Sequence, residues 1–113
     1  MIKLINIRLY KGNKIEYEKN NIKSIINDEN ISFIVDDVKT TLNKDSFIRE
    51  TDDYKFIIDI NKKESLYTLK KQNMSFDIEV ESVSYIYKEK EIELTYKIST
   101  EDELFKLIIE RDE

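Results

Sequence analysis

"MSFDIEVESVSYIY", residues 74–87, changes its apolar face halfway along. Met74, Phe76, Ile78 and Val80 share one parity, and Val83, Tyr85 and Tyr87 take the other. Successive side chains of a strand point to opposite faces, so each half reads as a strand with one apolar row. A strand cannot move its buried row without an extra residue or a kink. A β-bulge or sharp bend is therefore predicted near Glu81-Ser82. Bends of this kind let a sheet curl and close.

The neighbouring segments repeat the pattern. "IELTYKIS", at 92–99, sets Ile92, Leu94, Tyr96 and Ile98 against Glu93, Thr95, Lys97 and Ser99. "IKLINIRLY" at 2–10 carries the row Ile5, Ile7, Leu9, and "KGNK" at 11–14 reads as a hairpin turn in which Gly12 and Asn13 can take positive φ. "IEYEKNNIKSIIN" at 15–27 reads as a long strand bent or broken near Asn20-Asn21, and "DEN" at 28–30 as a turn. "ISFIVDD", "VKTTLN", "SFIRE", "YKFIIDI" and "SLYTLKK" follow as short strands, and "KEKE" at 88–91 turns the chain into 92–99. Gly12 is the only glycine, so Asn and Asp are expected to hold the left-handed turn positions, which they tolerate better than other residues. "TEDELFKLIIER" is open from its residues alone. Thr100 and Glu103 have capping-box spacing, while Phe105, Leu107 and Ile109 have strand spacing.

Composition limits the function classes. The 113 residues fit one domain, 1–113, large enough to bury a core without staples. There is no cysteine or histidine, which removes thiolate chemistry, disulfides, the usual general base and the commonest transition-metal ligand. Alanine is absent, which disfavours an all-helical chain, while abundant Ile, Tyr and Phe favour strands. The Ile, Lys and Asn excess matches AT-rich codons and a bacterial source. A net charge of −5 does not suit phosphate backbones, so no nucleic-acid partner is expected. No apolar run exceeds three residues, where a membrane helix needs about 20. No membrane partner is expected, and with no signal-peptide pattern at 1–10 the expected location is cytoplasmic.

A meander of about eight short strands must close or stack as two sheets. The connections are too short for a crossover. An all-β, antiparallel up-and-down β-barrel is therefore predicted, which also removes exposed edges. Ile5, Ile7, Leu9, Phe33, Phe56, Ile58, Phe76, Ile78, Leu94, Tyr96 and Ile98 are expected inside it.

Residues 47–99 carry a further pattern. Arg49 follows a short apolar strand in "FIRE", and "YKFIIDI" comes next. "LYTL" carries Tyr67 and Thr68, "FDIEVESVSY" alternates and ends near the hydroxyl of Ser82, and "ELTYKIS" carries Tyr96. In this the chain resembles the YwiB-like family, small bacterial proteins with a calycin-like β-barrel. It departs from that pattern where a glycine would fall near Met74 and where Ser82 replaces threonine. The resemblance implies a calycin-like barrel and a closing strand at 103–110, and it implies no reaction.

Arg49 is the leading site candidate. It is one of three arginines against sixteen lysines, it lies inside an apolar segment, and its fork suits a carboxylate or phosphate. The bland alternative is an internal ion pair or a solvated side chain. Tyr67, Tyr85 and Tyr96 are ligand-binding candidates that can present hydroxyls to a cavity, although tyrosine rows are commonly core. Glu79, Glu81, Glu91 and Glu93 oppose the apolar parity of their strands and are expected on the wet face. Asp36-Asp37 and Asp52-Asp53 lack calcium-loop spacing and are expected to be turns. Lys62, Lys63, Lys70 and Lys71 around Tyr67 have the ingredients of a single-strand nucleic-acid patch, against which stands a solvated hairpin.

No nucleophile–base pair can be assembled, so the protein is not expected to be an enzyme, and no metal or cofactor is expected. The expected function is a non-catalytic barrel that binds a small apolar or amphipathic ligand. The alternative is a solid-cored protein-interaction module or homodimer. Its signature would be apolar residues on the wet parity: Ile2, Leu4, Tyr10, Ile34 and Ile57.

Overall fold

Alternation of apolar and polar residues leaves each segment one face to bury, and the strands achieve this by wrapping around one another. The computed structural model describes residues 1–28, 30–88 and 90–111. Among them, the strands are β1 (Ile2–Lys11), β2 (Lys14–Asn27), β3 (Asn30–Val35), β4 (Val38–Leu42), β5 (Ser46–Glu50), β6 (Tyr54–Asp59), β7 (Glu64–Leu69), β8 (Met74–Tyr87), β9 (Glu91–Ile98) and β10 (Phe105–Arg111). Each strand pairs antiparallel with the next, and β10 pairs with β1 to close the barrel. The all-β antiparallel up-and-down barrel read from the sequence is the architecture found. The ambiguous C-terminal segment is strand from Phe105 onward.

The bends fall where the parity breaks. In the β8–β9 ladder Val80 faces Ile98 and Ser82 faces Lys97, so Glu81 is the extra residue of a bulge. That bulge keeps Val80 and Val83 on the same inner face. In the β1–β2 ladder the register shifts between the pairs Ile5–Ile22 and Ile7–Lys19. Asn21 sits in this irregularity with φ 58°, and its N–H donates to Asn6 Oδ1 at 3.0 Å. β2 and β8, at 14 residues each, are the longest strands, and a bulge in each lets it follow the curve of the barrel.

The turns use Asn and Asp as expected. Positive φ occurs at Asn21, Asp28, Asp36, Asp37, Asn73 and one lysine, Lys63, besides Gly12 at 61°. Asp36 and Asp37 are both positive, at 50° and 65°, between strands in register at Val35 and Val38. That is the two-residue turn whose twist matches a hairpin. The turns read at 28–30 and 88–91 include Glu29 and Glu89, which lie outside the described residues.

The up-and-down order puts the turns at 12–13, 36–37, 51–53, 70–73 and 99–104 at one end, the upper end. Met1 and the turns near 28, 43–45 and 60–63 are at the other. The lower and middle lumen is filled: Ile5, Ile7, Ile58, Ile92, Leu94 and Ile109 are 0% exposed. Each such side chain contributes roughly 1.5–3 kcal/mol of burial. The expected interior row is buried with exceptions near the upper rim. Ile78 and Ile98 are half-buried, and Phe76 is 45% exposed. Phe76 keeps the inward parity of Ile78, but it stands where the wall outruns the packed core.

Candidate functional site

Arg49 enters the barrel by strand alternation. Phe47 is buried, Ile48 points out, and Arg49 returns to the inner face, with Thr40 of β4 and Phe56 of β6 as its ladder neighbours. Beside it the upper lumen opens into a cavity of about 340 Å3, lined by Arg49, Tyr54, Phe56, Tyr67, Ile78, Tyr96, Ile98 and Phe105. On its other side Arg49 borders a smaller recess of about 130 Å3 with Tyr17, Thr40 and Asp36. The side chain thus partitions the upper lumen.

The walls are aromatic. Tyr54 stacks on Tyr67 with centroids 5.4 Å apart, and Tyr96 stacks on Phe105 at 5.2 Å. Phe56 links the two pairs, 6.3 Å from Tyr67 and 6.5 Å from Tyr96. Phe47 supports Tyr96 from below at 5.6 Å.

Electrostatics single out the floor. Burial pushes the Tyr96 hydroxyl up to about 12, while the nearby Arg49 opposes the rise by its charge and by a hydrogen bond. Tyr17 is raised as well, by burial first, with Arg49 pulling it down and Asp36 pushing it up. Both phenols therefore stay protonated at neutral pH. Among the described residues, no carboxylate forms a salt bridge with Arg49, whereas Arg8 pairs with Glu110 on the outer wall. Arg49 is a positive charge in a partly enclosed space, with phenol neighbours; it shares the smaller recess with Asp36 but, among the described residues, forms no ion pair with it. Such a group attracts an anion that brings its own apolar body.

Of the four candidate ligand residues, the structure brings Arg49, Tyr67 and Tyr96 together. Tyr85 does not join them. It pairs with Leu94 beyond the bulge, and its ring lies 6.3 Å from that of Tyr87, toward the lower end. Alternation points Tyr85 inward without fixing its height. Tyr54 and Phe105 were missed as site residues. Tyr54 shares the parity of Phe56 and was legible, whereas Phe105 was hidden by the ambiguity of its segment.

The other candidates disperse. Lys62 and Lys63 lie in the lower turn before β7, and Lys70 and Lys71 in the upper turn after it, so the four form no patch. Lys70 hydrogen-bonds Glu50 at 2.6 Å and holds that carboxyl below its ordinary range, and Lys71 pairs with Asp53 at 3.2 Å. Glu81 and Glu93 take outer-wall lysines, Lys97 at 2.5 Å and Lys106 at 3.2 Å. A lower groove of about 500 Å3 between Asp28 and Ser46 is polar, and its Asn43 Oδ1 already accepts the N–H groups of Asp45 and Ser46. Among the described residues no three acidic side chains group as metal ligands, and no helix is long and apolar enough to cross a membrane.

No protein-family model matches this chain, and neither the curated proteins nor the solved structures hold a significant match to it.

Proposed function

We propose that this barrel is a non-catalytic binding module for a small amphipathic molecule whose acid group meets Arg49. The observation that carries the reading is the inward guanidinium, without a carboxylate salt bridge among the described residues, set beside an aromatic cavity of about 340 Å3. Ligand cavities are commonly apolar with a few convergent polar groups, and Arg49 with Tyr96 supplies that combination. A cytoplasmic location and kinship with the YwiB-like barrels belong to the same proposal, the latter supported by the meander of β5–β9 over the resembling residues.

Calorimetric titration with a panel of small carboxylic acids and their neutral alcohols tests it. Acids are expected to bind, alcohols more weakly. Arg49→Met should lower acid affinity roughly tenfold to a hundredfold, the worth of a charge-assisted hydrogen bond. Equal affinity of wild type and variant would refute the role of Arg49.

A second reading, a homodimer through the outer face of β1–β3, is favoured by Ile2, Leu4, Ile25 and Ile34, which are 71%, 44%, 52% and 64% exposed. Tyr10 and Ile57, the other residues expected on the wet parity, are half-buried. Sedimentation equilibrium with and without Ile34→Lys separates the two readings: a monomer unaffected by the substitution removes the second.

A further inference from the structure

The cavity walls favour one kind of body. Five rings follow one another around it: Tyr54, Tyr67, Phe56, Tyr96 and Phe105, with successive centroids 5.4, 6.3, 6.5 and 5.2 Å apart. The end pairs are near-parallel, at 16° and 14°. The lining is therefore mostly ring face and ring edge. A flat aromatic body gains quadrupole-matched stacking and edge contacts on such a surface, whereas an alkyl chain gains dispersion and burial alone.

Depth sets a second limit. Below Arg49 and Tyr96 the lumen narrows to a void of about 10 Å3 among Leu9, Phe47 and Leu107. Beneath that, Ile58, Leu94 and Ile109 are 0% exposed. Downward the lumen closes at Arg49 and Tyr96, with only the smaller recess to the side of the guanidinium, so an acid bound there sits on the floor with its body directed toward the mouth. A long alkyl chain leaves the walls before it ends, and its tail stays in water. A compact fused ring fits the about 340 Å3 above the floor. Phe76, opposite Tyr67 in the ladder and 45% exposed at the rim, then gains cover from a body that reaches the mouth.

Resting on the reading of this cavity as an acid-binding site, we propose that its ligand class is the compact, planar aromatic monocarboxylic acids. They bind acid first, with the ring against the arc from Tyr67 to Phe105. The shape of the ligand is thereby specified by ring contacts, and its orientation by Arg49.

The test compares 2-naphthoate with decanoate, two acids of similar carbon number, on the full chain by calorimetry, with proton NMR of the aromatic side chains. The protein has no tryptophan, so naphthoate emission provides an independent signal. The expected result is 2-naphthoate binding about tenfold or more tightly than decanoate. Ring-current shifts should fall at Tyr67 and Phe105, and Phe105→Leu should reduce the preference between the two acids. Decanoate binding as tightly as naphthoate would overturn the aromatic assignment and leave the acid site standing. If neither acid binds, both the assignment and the acid site fall.

Discussion

Replacing Tyr96 with Phe should cross over in stability with pH. Tyr96 is 4% exposed, and its pKa is raised from 10.0 to about 12. Below pH 10 the hydroxyl is protonated in both folded and unfolded chains, and its contribution is fully present. Between about pH 10 and pH 12 the unfolded chain ionises first, so stability falls as pH rises. At about 1.4 kcal/mol per unit, two units amount to about 3 kcal/mol, roughly half of it lost by pH 11. Tyr96→Phe keeps the ring between Phe47 and Phe105 but gives up the favourable interaction of the hydroxyl with the nearby Arg49, at about 1 kcal/mol. The variant should therefore be less stable at neutral pH, draw level near pH 11, and be the more stable chain above it. Urea unfolding followed by circular dichroism, run for both chains across this range, measures the gap directly. Parallel curves would show that Tyr96 ionises normally, and the account of a dry floor beneath the cavity would be wrong.

Other outcomes follow from single positions. Gly12→Ala should cost about 1–2 kcal/mol, because φ is 61° there and a Cβ would run into the Glu103 side chain; equal urea midpoints would contradict this. Asp37→Gly should raise stability by about 0.5–1 kcal/mol, since glycine holds φ 65° without strain, and a lower midpoint would show that the Asp side chain supports the turn. In a spectrophotometric alkaline titration of the seven tyrosines, Tyr17 and Tyr96 should ionise late, and the late fraction should shrink in Tyr96→Phe.

Periodicity carried the architecture because a strand has only two faces. The parity switch in 74–87 located the bulge at Glu81, and the Asn20-Asn21 interruption located the irregularity in β2. Turn positions were legible from Asp and Asn, since a nearly glycine-free chain has few other residues for left-handed backbone. What alternation does not contain is height along the barrel axis. Phe76 and Ile58 carry the same inward sign, yet one stands at the rim and the other in the packed middle. Tyr85 and Tyr96 both point inward, and only the second reaches the cavity. Neighbourhood in sequence likewise does not fix the place of the lysines flanking β7, which the length of one strand carries to opposite ends. Arg49 was legible as an arginine inside an apolar segment, while which side chains surround it depends on strands distant in sequence and was not.

The proposed role of Arg49, a ligand-binding charge inside the barrel, can be read at the residue itself. The chain has three arginines, Arg8, Arg49 and Arg111, so an NMR spectrum of the arginine Nε–H groups has three signals to assign. Titration with small aliphatic and aromatic carboxylic acids should move the Arg49 signal in a saturable way. The signals of Arg8, paired with Glu110, and Arg111, packed on Tyr87, should stay in place. An Arg49 signal that stays fixed while the acids bind elsewhere, or that moves only in step with the other two, would contradict the account.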